Sequence, residues 1–377
     1  MASRGKTMAL VLNEEQVMLR DAARDFLSAQ APVEHLRKLR DAGNDDGISR
    51  ELWSEIVDMG WSAIVVPEEY GGLGYGFAGM GLVLEECGRT LTPSPLLVSS
   101  MVASATIAKY GDEAQKTTYL SALASGEHLM ALAVDEGDHH APDRCTTSVT
   151  ESGSAYRING MKTAVVDGTI ADTLLLLARK SDDTCGVFLV PVDSDGVQVD
   201  VIAHLDTHRA ANITLTDVEI PVENELKGLL NADYMLDIAR IGQSAELLGI
   251  AQEVFERTIE YLKDRKQFGV PIGVFQGLAH RAAHLFTEIE LCKSVVLDAL
   301  GKLDSEADNI GEVASMTKAK LAAVAHLAAI EGVQMHGGMG MTDECEIGFF
   351  LKRCRVLETM YGDRYFHMDR FARLRGY

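Results

Sequence analysis

Apolar residues fall near helical spacing through the first third of the chain. The segment from Val17 to Leu27 places them on one face, and Asn13 stands where a helix needs an N-terminal cap. The sequence VVPEEYGGLGYG at 65–76 interrupts this pattern, because its proline and glycines favour a loop. Helical patterns then continue to about residue 125. Residues 1–125 are therefore predicted to form an α-helical domain.

Near position 126 the pattern changes to short runs of apolar and β-branched residues. Gly, Asp, Asn and Ser separate these runs at nearly regular intervals, which is typical of a small antiparallel barrel or sandwich. The runs are HLMALAV, AYRING, TLLLLAR, GVFLVPV, VQVDVI and NITLTDVEI. A central antiparallel β-barrel or β-sandwich is therefore predicted over residues 126–228.

Long helical patterns return in the last part of the chain, at about 233–265, 276–303 and 313–336. The loops between them are short, which favours antiparallel neighbours. Residues 229–377 are therefore predicted to form a four-helix bundle. The predicted fold class is α+β multidomain: a helical domain, a β domain and a helical bundle, in that order.

Length and charge narrow the classes of function. A chain of 377 residues suggests two or three domains, and an apolar fraction of 47% is enough to fill a large core. Asp and Glu number 56 against 35 Lys and Arg, which gives a formal charge of −21. This acidic balance argues against nucleic acid or an anionic membrane surface as the main partner.

The cysteines and the N-terminus indicate a soluble protein of a reducing compartment. The six cysteines are scattered without a CxxC pair, so neither a disulfide framework nor a zinc site is predicted. The adjacent His139 and His140 favour a solvated loop over a metal site. No apolar run reaches about 18 residues, and residues 1–12 lack the features of a signal peptide. We expect a cytoplasmic location, no membrane span and no metal.

Two C-terminal segments combine residue types suited to a nucleotide. DRKQFGVPIGVFQ at 264–276 offers the planar fork of Arg265 for a pyrophosphate, together with aromatic faces for an adenine. QMHGGMGMT at 334–342 offers adjacent glycines whose N–H groups can approach a phosphate. For an isolated RKQFG, a helix-terminal charge and core phenylalanines would be the simpler explanation. The second segment favours the nucleotide interpretation.

These two segments, with VPEEYGGLG at 66–74 and FARLR at 371–375, resemble motifs of the acyl-CoA dehydrogenase superfamily over nearly the whole chain. The resemblance implies an FAD cofactor. These segments would bind its adenosine and pyrophosphate end, while a neighbouring subunit would bind most of the FAD. It therefore implies an obligate oligomer with shared sites. The residues it assigns to cofactor binding are Arg265, Gln267, Phe268, Phe275, Gln276, Gln334, Gly337 and Gly338.

The sequence departs from the family pattern where the flavin ring and the catalytic base would lie. Val134 and Asp135 occupy the places of Thr and Glu in the first ring-contacting stretch, and Ala164 and Val166 those of Trp and Thr in the second. Backbone N–H groups are still available to the ring, but the aromatic wall and the hydroxyl are gone. At the two usual positions of the catalytic Glu, the chain has Tyr361 and Ala239 instead.

Two other carboxylates are candidates for the base. Glu246 lies in the small and apolar stretch IGQSAELLGIA, seven residues after Ala239 on the same helix face and about 10 Å along the axis. Such a setting would desolvate the carboxyl and raise its pKa, which suits a general base. A structural ion pair with a cationic side chain is the equally weighted alternative for Glu246. Asp363, next to Gly362, is the second candidate.

The predicted function is FAD-dependent α,β-dehydrogenation of an acyl-CoA thioester, with electrons passed to an electron-transfer flavoprotein. The stretches DECEIGFFLKR and YGDRYFH resemble a divergent branch that includes heteromeric dehydrogenases of steroid side-chain breakdown. The resemblance thus leaves a homo-tetramer and an α2β2 heterotetramer open. A non-catalytic subunit that completes a partner's FAD site is the main alternative. Hydration without flavin on the same fold is a third.

Overall fold

A computed structural model describes residues 11–377, and its N-terminal part is helical, as predicted. Asn13 caps the first helix: its side chain accepts from the Gln16 N–H at 2.8 Å, and the Gln16 side chain accepts from the Asn13 N–H. The helices are α1 (Glu14–Gln30), α2 (Val33–Ala42), α3 (Arg50–Asp58), α4 (Phe77–Thr90), α5 (Ser104–Tyr110) and α6 (Glu113–Ala124). A π-helical segment, Leu96–Ala103, leads directly into α5.

The centre of the molecule is one curled sheet of seven strands. The strands are β1 (Met130–Ala133), β2 (Ser148–Ser152), β3 (Ala155–Val166), β4 (Thr173–Lys180), β5 (Cys185–Pro191), β6 (Val197–Ala203) and β7 (Arg209–Pro221). Their order is β1-β4-β2-β3-β7-β6, and β5 also pairs with β4. The prediction of purely antiparallel pairing is wrong at β4, which lies parallel to β1 and β2. Long connections separate β4 from both strands, and connections of this length permit parallel pairing.

The C-terminal part is a helical bundle, which confirms the predicted fold class. Three long helices, α7 (Asp233–Asp264), α8 (Gln276–Asp304) and α9 (Ile310–His336), pack against one another. The fourth position is shared by two shorter helices, α10 (Ile347–Thr359) and α11 (Arg364–Leu374), which both pack on α9. A two-stranded hairpin, β8 (Lys266–Gln267) and β9 (Val270–Pro271), joins α7 to α8.

Two glycines bring α4 and α7 into direct backbone contact. A Cβ atom at Gly249 would lie 1.8 Å from the Glu85 carbonyl oxygen, and one at Gly88 would lie 2.1 Å from the Glu246 carbonyl oxygen. Neither position therefore accepts a side chain without separating the helices. The close crossing fixes the position of α7 relative to the N-terminal helices.

Within residues 11–377, one helical stretch, Ile310–Met341, is long and apolar enough to cross a membrane by length and composition alone. Its most apolar window is 61% buried inside the bundle. A core helix of a bundle has the same composition, since most of its surface meets other helices.

Candidate active site

A cleft of about 530 Å³ lies between the sheet and the C-terminal helices. Val134, Asp135 and Ala164 line it from the sheet, while Met360 and Tyr361 line it from the loop after α10. Four of these are positions at which the sequence departs from the family pattern. The fold therefore brings the ring-contacting stretches and the place of the catalytic Glu together in one cleft, although they lie more than 190 residues apart.

A buried polar chain supports one wall of this cleft. Arg240 on α7 is completely buried; its Nη2 donates to Nε2 of His140 at 3.0 Å, and its Nε donates to the Tyr361 carbonyl oxygen at 3.1 Å. Because a guanidinium has no acceptor, His140 must carry its proton on Nδ1, where it donates to Asp135 at 2.8 Å. These bonds tie the sheet, α7 and the Tyr361 loop to one another.

A buried lysine holds the Tyr361 loop from the other side. Lys318 on α9 is fully buried, and its Nζ donates to the carbonyl oxygens of Leu357 at 2.7 Å, Met360 at 3.0 Å and Gly362 at 3.3 Å. Burial lowers the pKa of Lys318 to about 7. Tyr361 itself has a φ of 58°, a conformation that is rare for a tyrosine and that these contacts stabilise.

Glu246 lies in an ion pair beside a second, much smaller pocket of about 20 Å³. Arg353 on α10 donates from Nε to Glu246 at 2.6 Å and from Nη1 to Asp206 at 2.8 Å. The alternative expected for Glu246, a bridge to a cationic side chain, is thus the arrangement found. Burial acts to raise the pKa of Asp206, but His208 and Arg353 hold it well below its usual range. The partly buried Asp167 also lines this pocket, and burial raises its pKa to about 7.

Asp363, the other candidate base, lies outside the cleft. Its side chain is exposed and accepts from the Phe366 N–H at 2.8 Å, so it caps the start of α11. Ala239 is fully buried on α7, one turn before Gln243. The geometry therefore places no unpaired carboxylate of this described chain at either usual position of the base.

The eight residues assigned to the adenosine end of FAD are all exposed and lie near one end of the bundle. Arg265 directly follows α7, and Phe268 is 93% exposed, with its ring centroid 6.0 Å from that of Phe275. The Tyr261 hydroxyl donates to the His336 carbonyl oxygen at 3.3 Å and so holds the end of α7 next to the glycine turn. Within residues 11–377, none of the eight lines the cleft described above. They are Arg265, Gln267, Phe268, Phe275, Gln276, Gln334, Gly337 and Gly338.

The cleft fits the flat ring system of a flavin. Its volume is within the range of small-molecule sites, and Thr163 and Ala164, at a bulge of β3, line it. The backbone N–H groups expected to be available to the ring are bonded within the protein at these two residues, Thr163 to the Asp135 carbonyl oxygen at 2.8 Å and Ala164 to the Asn212 side chain at 3.1 Å. His204 also lines it, and the buried Nδ1 of that side chain finds no hydrogen-bond partner among the described residues. A ligand with polar ring atoms would satisfy it. No group of three or more His, Cys, Asp or Glu in the described part of the chain is arranged for a metal ion.

Sequence reasoning missed several residues that build the site. Arg240 and Arg353 are buried side chains that each bond to residues 100 or more positions away along the chain. Gln243 is a buried side chain without a hydrogen-bond partner among residues 11–377. The available signal was weak: Arg240 and Gln243 are polar residues within an apolar helical stretch. When such residues are buried, they usually have hydrogen-bond partners.

Two family models match this chain on either side of the sheet. Residues 13–127 match the "Acyl-CoA dehydrogenase, N-terminal domain", and residues 227–374 match the "Acyl-CoA dehydrogenase, C-terminal domain". The fold is thus that of a known class of flavin enzymes. The chain belongs to the acyl-CoA dehydrogenase family.

Similar proteins include acyl-CoA dehydrogenase FadE12 of Mycobacterium tuberculosis, which is 30% identical over 92% of this chain and 92% of its own length. The caffeyl-CoA reductase-Etf complex subunit CarC of Acetobacterium woodii is 29% identical over 93% of this chain and 95% of its own. Among solved structures, a variant of the Tcur3481-Tcur3483 steroid ACAD is similar with a TM-score of 0.88 and 27% identity, covering 96% of this chain and 97% of that one.

Proposed function

We propose that this protein is an FAD-dependent acyl-CoA dehydrogenase that introduces an α,β double bond into an acyl-CoA thioester. The observation that carries the proposal is the cleft between sheet and bundle, because the stretches expected to hold the ring and the reacting carbons line it together. CarC, a similar protein, is named as part of a complex with Etf, which supports transfer of the electrons to an electron-transfer flavoprotein.

A bound FAD would supply the hydride acceptor for the reaction. The contribution of this chain is to position the flavin ring and the substrate and to exclude water from them. Thr163 and Ala164 would lie along the ring, and the Arg240–His140–Asp135 chain would keep the Tyr361 loop and the sheet at a fixed separation. The acidic charge and the six free cysteines support a cytoplasmic location.

We propose Glu246 as the general base, with Asp363 as the second candidate. Glu246 follows Ala239 and Gln243 along one face of α7, and its carboxylate accepts from Arg353 Nε at 2.6 Å. Glu246→Gln is expected to lower kcat at least about 100-fold while the flavin remains bound. The measurement is steady-state turnover with a dye acceptor, together with the visible flavin spectrum.

Glu253→Gln is the matched control. Glu253 lies on the same helix, seven residues further on, and is paired with Arg257 and Arg89 instead of Arg353. Its substitution should leave kcat within about threefold of the wild type. Full turnover by Glu246→Gln would remove Glu246 from the mechanism.

A non-catalytic subunit of a heteromeric dehydrogenase is the second candidate function. This function is favoured by Tyr361 and Ala239 at the two usual base positions, and by the ion pair that Glu246 forms with Arg353. The similar Tcur3481-Tcur3483 steroid ACAD carries two chains in its name, which is consistent with this assembly. This chain would then complete the partner's FAD site with Arg265, Gln276 and Gln334.

The visible absorption spectrum of this chain purified alone separates the two functions. About one flavin per chain is expected for the catalytic homo-oligomer. A colourless preparation that becomes yellow only when it is co-purified with a second, dissimilar chain would instead establish the heteromer.

A further inference from the structure

The small pocket beside Glu246 is a direct neighbour of the cleft. Met360 lines both spaces, so the border between them lies at its side chain. The cleft has a volume of about 530 Å³, whereas the small pocket has about 20 Å³. A water molecule needs roughly 10–15 Å³ of such space, so the small pocket has room for about one or two groups of that size.

Charged side chains form one part of the wall of the small pocket. Arg353 is 7% exposed, and it donates to Glu246 at 2.6 Å and to Asp206 at 2.8 Å. Asp206 in turn lies 3.3 Å from Nδ1 of His208, which lines the pocket together with Asp167. Separating the members of a buried charge network leaves each of them without compensation, which is strongly unfavourable. These side chains are therefore not expected to move aside for an alkyl chain.

A second part of the wall comes from the π-helical segment Leu96–Ala103. This segment packs closely on α7, because a Cβ atom at Gly242 would lie 2.6 Å from Cδ1 of Leu97 and 2.8 Å from Sδ of Met101. Leu97 and Val98 line the small pocket, and Val98 is 1% exposed. A closely packed interior does not admit extra methylene groups without strain. The apolar part of the wall is thus as resistant to expansion as the charged part.

The proposed base indicates where an acyl group would lie. Glu246 lines the small pocket and not the cleft. An α-carbon within reach of its carboxylate therefore lies at the border marked by Met360. The flavin ring, the thioester and the end of the pantetheine chain would take up the cleft side of this border. The small pocket is then the space for carbons beyond the β-carbon.

We propose that the substrate is a short acyl-CoA, with an acyl group of about three to five carbons, and that Leu97 and Val98 set this limit. The inference rests on the proposed function, since it takes Glu246 to act at the α-carbon. The thioester carbon, the α-carbon and the β-carbon account for the first three, and the small pocket holds the remaining one or two. A longer chain would press against Val98 or against the buried charges of Arg353.

The test measures binding and does not depend on turnover. The purified oligomer, with FAD added, is titrated calorimetrically with crotonyl-CoA, trans-2-hexenoyl-CoA and trans-2-octenoyl-CoA. In an open apolar pocket, each added methylene would tighten binding about three- to fourfold. We expect the opposite trend, with trans-2-octenoyl-CoA bound at least about tenfold more weakly than crotonyl-CoA, because the longer chains meet a closed wall.

Val98→Ala should enlarge the small pocket and reduce this difference in affinity at least about fivefold. Val102→Ala is the matched control, because Val102 is a fully buried valine of the same segment that lines neither the small pocket nor the cleft. It should keep the difference of the wild type. If Val98→Ala does not fold, Leu97→Ala tests the same wall at a partly buried position.

The outcomes separate this inference from the proposed function. If the wild type binds trans-2-octenoyl-CoA as tightly as crotonyl-CoA or more tightly, the short-chain limit is wrong, while acyl-CoA binding stands. If Val98→Ala and Val102→Ala change the affinities equally, the limit does not lie at Val98. Failure of the wild type to bind any of the three thioesters would overturn the proposed function, and the inference with it.

Discussion

Asp167 shows how strongly the pKa of a single side chain depends on its surroundings. It follows β3 in the left-handed backbone region, with a φ of 59°, and its carboxyl points towards the small charged pocket. Burial raises its pKa to about 7, against the partial opposition of His208 and Arg353. The folded protein therefore keeps a proton on Asp167 that the unfolded chain releases near pH 4.

We expect Asp167→Asn to remove a pH dependence of stability. Because the folded pKa is raised, the contribution of Asp167 is fully present below about pH 4 and is lost as the pH rises through 7. Asparagine stays neutral and tolerates the left-handed region. The variant should be more stable than the wild type at pH 8, with a difference that grows by up to about 1.4 kcal/mol per pH unit between pH 4 and 7. Urea unfolding at several pH values measures it.

Asp183→Asn is the control for this experiment. Asp183 has the same left-handed conformation, with a φ of 65°, but its side chain is 91% exposed. Its substitution should change stability by less than about 0.5 kcal/mol at every pH. A pH-independent difference for Asp167→Asn would contradict the assignment of a protonated carboxyl.

Residue types alone allowed only part of the site to be foreseen. The positions of Val134, Ala164 and Tyr361 could be predicted because local motifs mark them. The partner of Glu246 could not, since Arg353 is 107 residues away and only the tertiary fold brings the two together. For the same reason, nothing in the sequence distinguished a buried and unpaired Gln243 from an ordinary helix residue.

At the scale of elements, the end of α10 and the start of α11 are held by one side chain of α9. Lys318 satisfies carbonyl oxygens of the last turn of α10 and of the following loop, which a helix end leaves without internal partners. The loop contributes Met360 and Tyr361 to the cleft. The shape of the cleft therefore depends on a residue that does not line it.

Lys318→Met is expected to destabilise the protein by about 2–4 kcal/mol, because buried carbonyl oxygens lose their donor. Lys320→Met provides the comparison: Lys320 is partly exposed and pairs with Glu288 at 2.5 Å. That substitution should cost less than about 1 kcal/mol. Denaturant unfolding followed by circular dichroism measures both, and similar values for the two variants would argue against the role given to Lys318.

The elements themselves were largely predictable, and their pairing was not. The helical periods at 233–265 and 276–303 correspond closely to α7 and α8, because these helices are long and strongly patterned. The parallel pairing of β1 with β4 depends on contacts across some 40 residues, which local periodicity does not encode. The prediction of a sheet in the central part is therefore correct, but the predicted antiparallel pairing is wrong for β4.

At the scale of the whole molecule, the cleft proposed for the flavin ring and the residues proposed for the adenosine end of FAD lie apart. The cleft lies between the sheet and the bundle, whereas the residues proposed to bind the nucleotide cluster at one end of the bundle and face solvent. Phe268, Val274 and Phe275 are 93%, 61% and 39% exposed within one short segment, and a cluster of exposed apolar residues is typical of an interaction surface. Association of chains is the arrangement that uses both regions.

Arg265→Ala is expected to weaken flavin retention by the assembled protein, because a charge-assisted contact to the pyrophosphate is lost. The flavin content after dialysis should fall by at least about half, while the mass from light scattering stays that of the oligomer. Lys263→Ala, which removes an exposed charge paired with Glu260 at 2.6 Å, should retain the flavin. Unchanged flavin content in Arg265→Ala would count against a site shared between subunits.

The glycine crossing of α4 and α7 limits how the small pocket beside Glu246 can be re-engineered. With less than the width of a methyl group between the two backbones at Gly88 and Gly249, neither helix can slide or tilt to admit a bulkier substrate. A larger pocket must instead come from the π-helical segment Leu96–Ala103, whose Leu97 and Val98 line the small pocket from the opposite side. Libraries aimed at new substrates should therefore leave both glycines fixed and vary that segment.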